Sequence, residues 1–474
     1  MNINHPRARI TQRSGDDNGP YRTITPEFPR CAGHKRVANF ALMRIDLSGT
    51  ISRLLFGAMV FPLAALLIVS AGAAWLAEHW DGSTDPRLWL RAARLEPASA
   101  RYWEHLGLYE QWDLLNGGPR QAAADLERAA RANSASSRIW LELASAYETM
   151  GDAPRARQAY RQAQADYPAS SEAAFRYGSF LFRQRDFISG FEEIRRALLV
   201  DSSLASSAMA EAWAADPDID AILASALPAK QENYVPAIQF FLDHKQFDAA
   251  LAVWARLLKL GDRIEMGEAI PLDNALITQD RLAEARQVWR QALEAAEWPH
   301  DRNDSGSFVF NGGFEHDLAQ GGFDWRESSI QGARFALDRG VAYSGSRSAR
   351  IEFDGSANLD YQNLVQYVSV QPGSRYRLLA YLRTDGISTD CGIHLAILDL
   401  RHLSQPPVVT SDLTGTNPWT LVQADVATGP GEDLLGIAVQ RVPSRKFDNK
   451  LHGAVWIDDV SLVPLAGRVK SGPR

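Results

Sequence analysis

Cysteine is almost missing from this chain: Cys31 and Cys391 are all there is in 474 residues, too few for a disulfide framework or a thiolate zinc site. Basic residues do not dominate either. Lys+Arg total 50 against Asp+Glu 57, a formal net charge of -7, and without a concentrated basic stripe nucleic acid is not an expected partner. No glycine-rich phosphate loop, His-Glu-x-x-His helix, nucleophile elbow or cysteine–histidine signature occurs beyond Trp80, so the short patterns that usually announce an enzyme are missing. The scattered histidines show no metal-ligand spacing. What is present is a globular composition in a chain too long for one ordinary domain.

The run Leu54 to Trp75 carries no charge. It is long enough to cross a bilayer as a helix, and Pro62 inside it is tolerated there. Arg7, Arg9, Arg13, Arg22, Arg30, Lys35, Arg36, Arg44 and Arg53 precede it against Asp16, Asp17, Glu27 and Asp46, while Glu78, Asp81 and Asp85 follow it. The positive-inside rule then puts the N-terminus in the cytoplasm and the bulk of the chain in the periplasm, a single-pass inner-membrane protein. The expected layout is a disordered segment over 1–53, a transmembrane helix over 54–77, a helical array over 84–300, a β-sandwich over 305–465 and a tail over 466–474. Two alternatives stay open for the apolar run. If translation begins at Met43, Arg44 and Arg53 form the basic start of a signal peptide, Ala71-Gly72-Ala73 resembles its cleavage site, and the product is secreted. The other is a buried helix of a soluble protein.

Between Ser137 and Ser170 fall Trp140, Leu143, Ala144, Tyr147, Gly151, Ala156, Tyr160, Ala163 and Pro168. Small residues at 144 and 156 let two antiparallel helices approach, the aromatics fill the gaps around them, and Pro168 stops the second helix. This spacing resembles the tetratricopeptide repeat, with its period of about thirty-four residues. Ser171 to Leu204 keeps the frame, and a degenerate copy begins near Trp103. Phe247–Trp254 and Leu282–Trp289 echo the second helix and imply two more pairs. Pro86–Leu95 reads as a lone second helix, and Asp216 to Glu232 fits no repeat. Helical arrays of this kind leave a groove along their first helices. The resemblance puts Arg138, Leu141, Ser145, Glu148, Glu172, Phe175, Ser179, Phe182 and Arg183 there, facing an extended peptide or partner helix; the alternative is that Phe175 and Phe182 pack onto neighbouring helices.

From Phe310-Asn311-Gly312-Gly313-Phe314-Glu315 to Trp456-Ile457-Asp458-Asp459-Val460-Ser461-Leu462 the pattern changes to short strand-forming runs, among them Tyr376–Leu382, Ile393–Leu398 and Leu434–Gln440, parted by turn chemistry. Such spacing reads as an antiparallel sandwich. The two end motifs resemble the jelly-roll carbohydrate-binding modules of bacterial glycan-degrading enzymes. That resemblance implies a first strand at Asn311–Glu315, a last strand through Asp458, and a structural calcium ion held by Glu315 with Asp458 and Asp459; the alternative is that these acids face water or hydrogen-bond to a turn. Sugar rings stack on aromatics and offer hydroxyls to polar groups, which makes Trp325, Tyr361, Trp419, Arg445, Lys446, Asp448 and Asn449 the glycan-binding candidates. Each aromatic is also a plausible core plug, the loop over 443–450 is alternatively a hairpin connection whose charges are solvated, and Trp456 reads as core.

The combined expectation is a multidomain α + β protein: one membrane helix, an α-solenoid and a C-terminal jelly roll. It is read as a non-enzymatic envelope scaffold that binds a protein partner in the groove and a polysaccharide on the sandwich, in a setting of surface polysaccharide assembly or export. The runner-up is a pure protein scaffold whose sandwich caps the solenoid without sugar affinity. A glycan-active enzyme comes third, since two acids at the right separation suffice for glycoside hydrolysis.

Overall fold

A computed structural model describes residues 50–112, 117–298, 306–402 and 404–465. The expectations for residues 1–49, for a start at Met43 and for a tail over 466–474 lie outside the described residues. The chain divides into two compact units, Met1–Gly72 and Ala73–Arg474.

Helix α1 (Thr50–Asp81) contains the apolar run, with Pro62 inside it. Its stretch from Arg53 has a mean hydropathy of 2.4 and none of that window is buried, so by length and composition it could cross a membrane. Within the second unit, Ala77 is buried and Asp81 is anchored by Arg101 at 3.0 Å and His105 at 2.8 Å.

The helical array begins with α2 (Pro86–Leu95), a lone helix packed on the first pair, α3 (Ala100–Glu110) and α4 (Pro119–Ala132). Further pairs are α5 (Ser137–Thr149) with α6 (Ala153–Asp166), and α7 (Ser171–Arg183) with α8 (Phe187–Val200). Small residues set the approach within each pair. A Cβ on Gly107 would lie 2.7 Å from Leu126, one on Gly178 3.2 Å from Ile194, and Ala144 and Ala156 are fully buried. Successive first helices are stitched by ion pairs about one repeat apart in sequence. Arg138 reaches Glu104 at 2.9 Å, Arg176 reaches Glu142 at 2.8 Å, and Arg183 reaches Glu148 at 3.1 Å.

Asp216 to Glu232 is part of the array after all. Helix α9 (Ala205–Ala215) takes a first-helix place between α7 and α11 (Tyr234–Asp243), and a shrunken partner, α10 (Ile219–Ala221) with a single π turn at Ile222–Ala226, packs on α8. Then come α12 (Phe247–Leu258), pairing with α11, and α13 (Met266–Thr278) with α14 (Leu282–Ala295).

The C-terminal region is a sandwich of two five-stranded antiparallel sheets. Its strands are β1 (Trp325–Glu327), β2 (Ala333–Asp338), β3 (Ser348–Asp354), β4 (Tyr361–Ser369), β5 (Arg375–Ile387), β6 (His394–Asp399), β7 (Val408–Val409), β8 (Gly415–Ala427), β9 (Leu434–Arg441) and β10 (His452–Pro464). One sheet runs β1-β4-β9-β6-β7, the other β2-β3-β10-β5-β8. Alternation puts Leu378, Ala380, Leu382, Val455 and Ile457 inward, against Leu435, Ile437 and Val439 of the facing sheet.

Two expectations are corrected here. Asn311–Glu315 is a set of turns rather than a strand, tied to β10 by Val460 N–H donating to Gly312 O at 2.9 Å. Positive φ falls on Asn311 (49°) and Phe314 (55°), while Gly312 is required by proximity, since a Cβ there would lie 2.0 Å from Val460 O. Trp456 is buried but lies outside the sandwich core: it points outward from β10, with Arg350 and Arg383 over its ring at 5.3 and 5.4 Å.

Candidate functional site

The outward face of the β2-β3-β10-β5-β8 sheet gathers rings that the core does not use. Register sets Tyr381 of β5 opposite Asp458 of β10 and Leu421 of β8, and Arg383 opposite Trp456. Tyr343, in the loop after β2, stacks on Tyr381 with centroids 3.6 Å apart and planes 14° apart, and Trp419 meets Tyr343 edge-on at 5.9 Å. Tyr343 is 43% exposed and Leu421 47%, so the result is an open aromatic platform flanked by Arg383 and Arg350. The hydrogen bond to Tyr381 holds the Tyr343 phenol above its ordinary range.

What fixes Tyr343 there is Asp458, one of the three acids expected to hold calcium. Asp458, fully buried, accepts the N–H groups of Tyr343 at 2.7 Å, Ser344 at 3.1 Å and Asp459 at 2.8 Å. Asp459 accepts from the Ser344 hydroxyl at 2.8 Å, on a bulge where its φ is 47°. Glu315 accepts from Ser346 N–H at 2.8 Å, the Ser346 hydroxyl at 2.6 Å and Arg347 N–H at 3.2 Å. Burial pushes Asp458 up to about 6, against the opposing pull of its N–H donors. Glu315 is held below the usual carboxylate range: burial would raise it, but the Ser346 and Arg347 donors outweigh that. These oxygens serve N–H and O–H donors, whereas calcium takes a shell of oxygens. Among the described residues, the group whose ligand atoms gather within 4.8 Å is Asp399, His402 and Glu432, not the predicted three. In this arrangement Glu315, Asp458 and Asp459 fasten loops.

The other glycan candidates are dispersed. Trp325 is fully buried, donating to Asn311 O at 3.2 Å; Tyr361 is 2% exposed and packs edge-on against Phe353. Arg445, Lys446 and Asp448 are exposed and Asn449 half-buried on the loop before β10, where Lys446 pairs with Asp390 at 3.1 Å. Only Trp419 of the predicted set joins the platform. Tyr381 could have been found from alternation along β5, but Tyr343 had no local signal.

In the array, Leu141, Ser179 and Phe182 are buried, and Phe182 lies edge-on to Phe191. Phe175 is half-buried against the core of the later repeats. Arg138, Glu148 and Arg183 belong to the inter-repeat pairs described above, and Glu172 pairs with Arg176 at 3.3 Å. Ser145 is half-buried, its carbonyl accepting from Thr149. The first-helix face is therefore a belt of charges already neutralised in pairs.

The core of the later repeats extends across the junction to Phe323 and Leu434 of the sandwich region. Trp289 of α14 meets Phe310 and Phe323 at 5.3 and 6.1 Å, and Gly322 N–H donates to Asn274 Oδ1 at 2.9 Å. Arg401 reaches Asp280 across the seam and Asp433 at 3.0 Å.

Residues 137–180 match the family model of the tetratricopeptide repeat. A comparison with curated proteins gives no match. Among solved structures, one described as "CBM4 structure and function" aligns over 33% of this chain and 99% of its own at 16% identity, with a TM-score of 0.26. "Functional Characterization of Pseudomonas Aeruginosa pilF" aligns over 42% and 96% at 17% identity (TM-score 0.24), and "Crystal structure of YrrB: a TPR protein with an unusual peptide-binding site" over 44% and 93% at 10% (TM-score 0.24). Likenesses this distant carry no argument, and the folds stand on helix pairing and strand order. The chain is thus a helical-repeat array with tetratricopeptide character over residues 137–180, joined to an antiparallel β-sandwich.

Proposed function

We propose that this chain is a non-enzymatic scaffold of the cell envelope, held to a membrane by α1, whose sandwich binds saccharide at the Tyr343–Tyr381–Trp419 platform and whose repeats dock a protein partner. One observation carries the saccharide reading: the Tyr343 ring, 43% exposed, is backed by Tyr381 and met edge-on by Trp419, with a buried carboxylate spent on keeping it in place. Rings of this kind cover the apolar face of a pyranose, and nearby guanidinium groups take its hydroxyls. Surface polysaccharide assembly or export is the setting that a membrane-held scaffold with such a surface suits best.

The test is an oligosaccharide array probed with the full chain in detergent, followed by titration of hits against Trp419→Ala and Tyr343→Ala. A neutral oligosaccharide should bind wild type, and each variant should weaken it several-fold, in line with roughly 0.5–1.5 kcal/mol for an aromatic contact. A wild-type protein that holds no saccharide on the array ends this reading. The second reading then stands, a protein scaffold whose sandwich caps the last repeat; the aromatic seam at Trp289 favours it.

A further inference from the structure

The seam between α14 and the sandwich forms an open cavity of about 650 Å³, within the size range of small-molecule sites, which favour domain junctions. Arg286 and Arg290 stand one turn apart on α14 and line it, both exposed. Arg281, on the approach to the same helix, by contrast pairs with Asp248 at 2.6 Å and Glu284 at 2.5 Å. No carboxylate among the described residues pairs with Arg286 or Arg290, and the hydrogen bond Arg290 makes is from Nε to the carbonyl of Arg286 at 3.4 Å. Two like charges at this spacing repel, and the fold gains nothing from them. Across the cavity Phe308 is 39% exposed, steadied edge-on by Tyr376 at 5.3 Å, and Trp289 also lines it; Ser307 and Ser369 line it too, their hydroxyls engaged by the Val309 and Leu462 N–H groups and by Asp433 O.

We infer that this cavity binds an anionic saccharide, its carboxylate held by Arg286 and Arg290 and its ring laid against Phe308. Paired guanidinium groups match a carboxylate through parallel N–H donors. The ring supplies an apolar face that a small inorganic anion would leave unused. The site is separate from the Tyr343–Tyr381–Trp419 platform and does not stand or fall with it.

Isothermal titration of the full chain in detergent tests this with trimers of galacturonate, glucuronate and mannuronate, a neutral galactose trimer, and inorganic phosphate. At least one uronate trimer should bind, more weakly as salt rises, and R286Q/R290Q should reduce its affinity at least tenfold. Phe308→Ala, which leaves both arginines in place, should weaken it several-fold and guards against a misfolded double variant. The inference is overturned if no uronate trimer binds, if the arginine substitutions leave its affinity unchanged in a folded protein, or if phosphate binds as tightly. Loss of uronate binding on Trp419→Ala with R286Q/R290Q intact in affinity would place it at the platform and overturn the seam site as well.

Discussion

Gly322→Ala is expected to separate the sandwich from the helical array, turning a shared thermal transition into two or lowering it sharply. Gly322 has φ +56°, and a Cβ there would lie 2.4 Å from the Trp289 ring and 2.6 Å from Asp273 Oδ2. Its N–H is committed to Asn274 at 2.9 Å and its carbonyl accepts from Arg326 at 2.6 Å, so the loop cannot slide to make room. Beside it, a Cβ on Gly321 would meet Ile270 at 2.4 Å. Either Trp289 is driven from Phe310 and Phe323 or the loop lifts off α13, and overpacking with left-handed strain costs about 3 kcal/mol or more. Gly373→Ala isolates the strain alone: its φ is +66° and nothing lies within 4 Å of its Cβ, so about 1 kcal/mol is expected. Scanning calorimetry compares the two. Equal losses would mean that the seam does not depend on close approach at Gly322.

How much of this was legible follows from which contacts are local. The repeat around Trp140–Tyr160 announces itself because Ala144 and Ala156 must be small where two helices touch, and both are fully buried. Asp216 to Glu232 hid its role because the second helix of that pair shrinks to Ile219–Ala221 and a π turn, which removes the period while keeping the place. Four strands of the sandwich were legible as apolar runs while the expected first strand is a set of turns, and alternation along Tyr376–Leu382 would have pointed Tyr381 outward. Trp456 misled because burial comes from two arginines above it rather than from the facing sheet. Asp458 and Asp459 stood out in the closing motif, but their hydrogen-bond partners, Tyr343 and Ser344, lie more than a hundred residues away in sequence. Pairings of that kind leave no trace in spacing. The same holds for the seam, where Trp289 reads as an ordinary repeat residue until the sandwich arrives.

Asp273→Asn is expected to stabilise the protein at pH 8 and to flatten its stability between pH 4 and 8. The side chain is fully buried against Gly322, and neither carboxyl oxygen has a hydrogen-bond partner. Arg326 does not relieve it: one guanidinium nitrogen serves Asn274 at 2.9 Å and Gly322 O at 2.6 Å, the group lies 4.0 Å over the Tyr367 ring, and its other terminal nitrogen is unpartnered. Burial therefore pushes Asp273 up to about 8 from 3.8, with only a partial downward pull from Arg326. Between those values the folded chain keeps a proton that the unfolded chain has released, so stability falls as pH rises through the window, by about 1.4 kcal/mol per unit at most. An amide cannot ionise and removes that slope. Asp324, pushed up to about 7 by its own burial, acts in the same direction and leaves a smaller residual slope in the variant. Urea unfolding of both proteins at pH 5, 6.5 and 8 checks this: the curves should converge in acid and part by a few kcal/mol at pH 8. Parallel slopes would mean that Asp273 is ionised in the fold and that Arg326 compensates it across the seam.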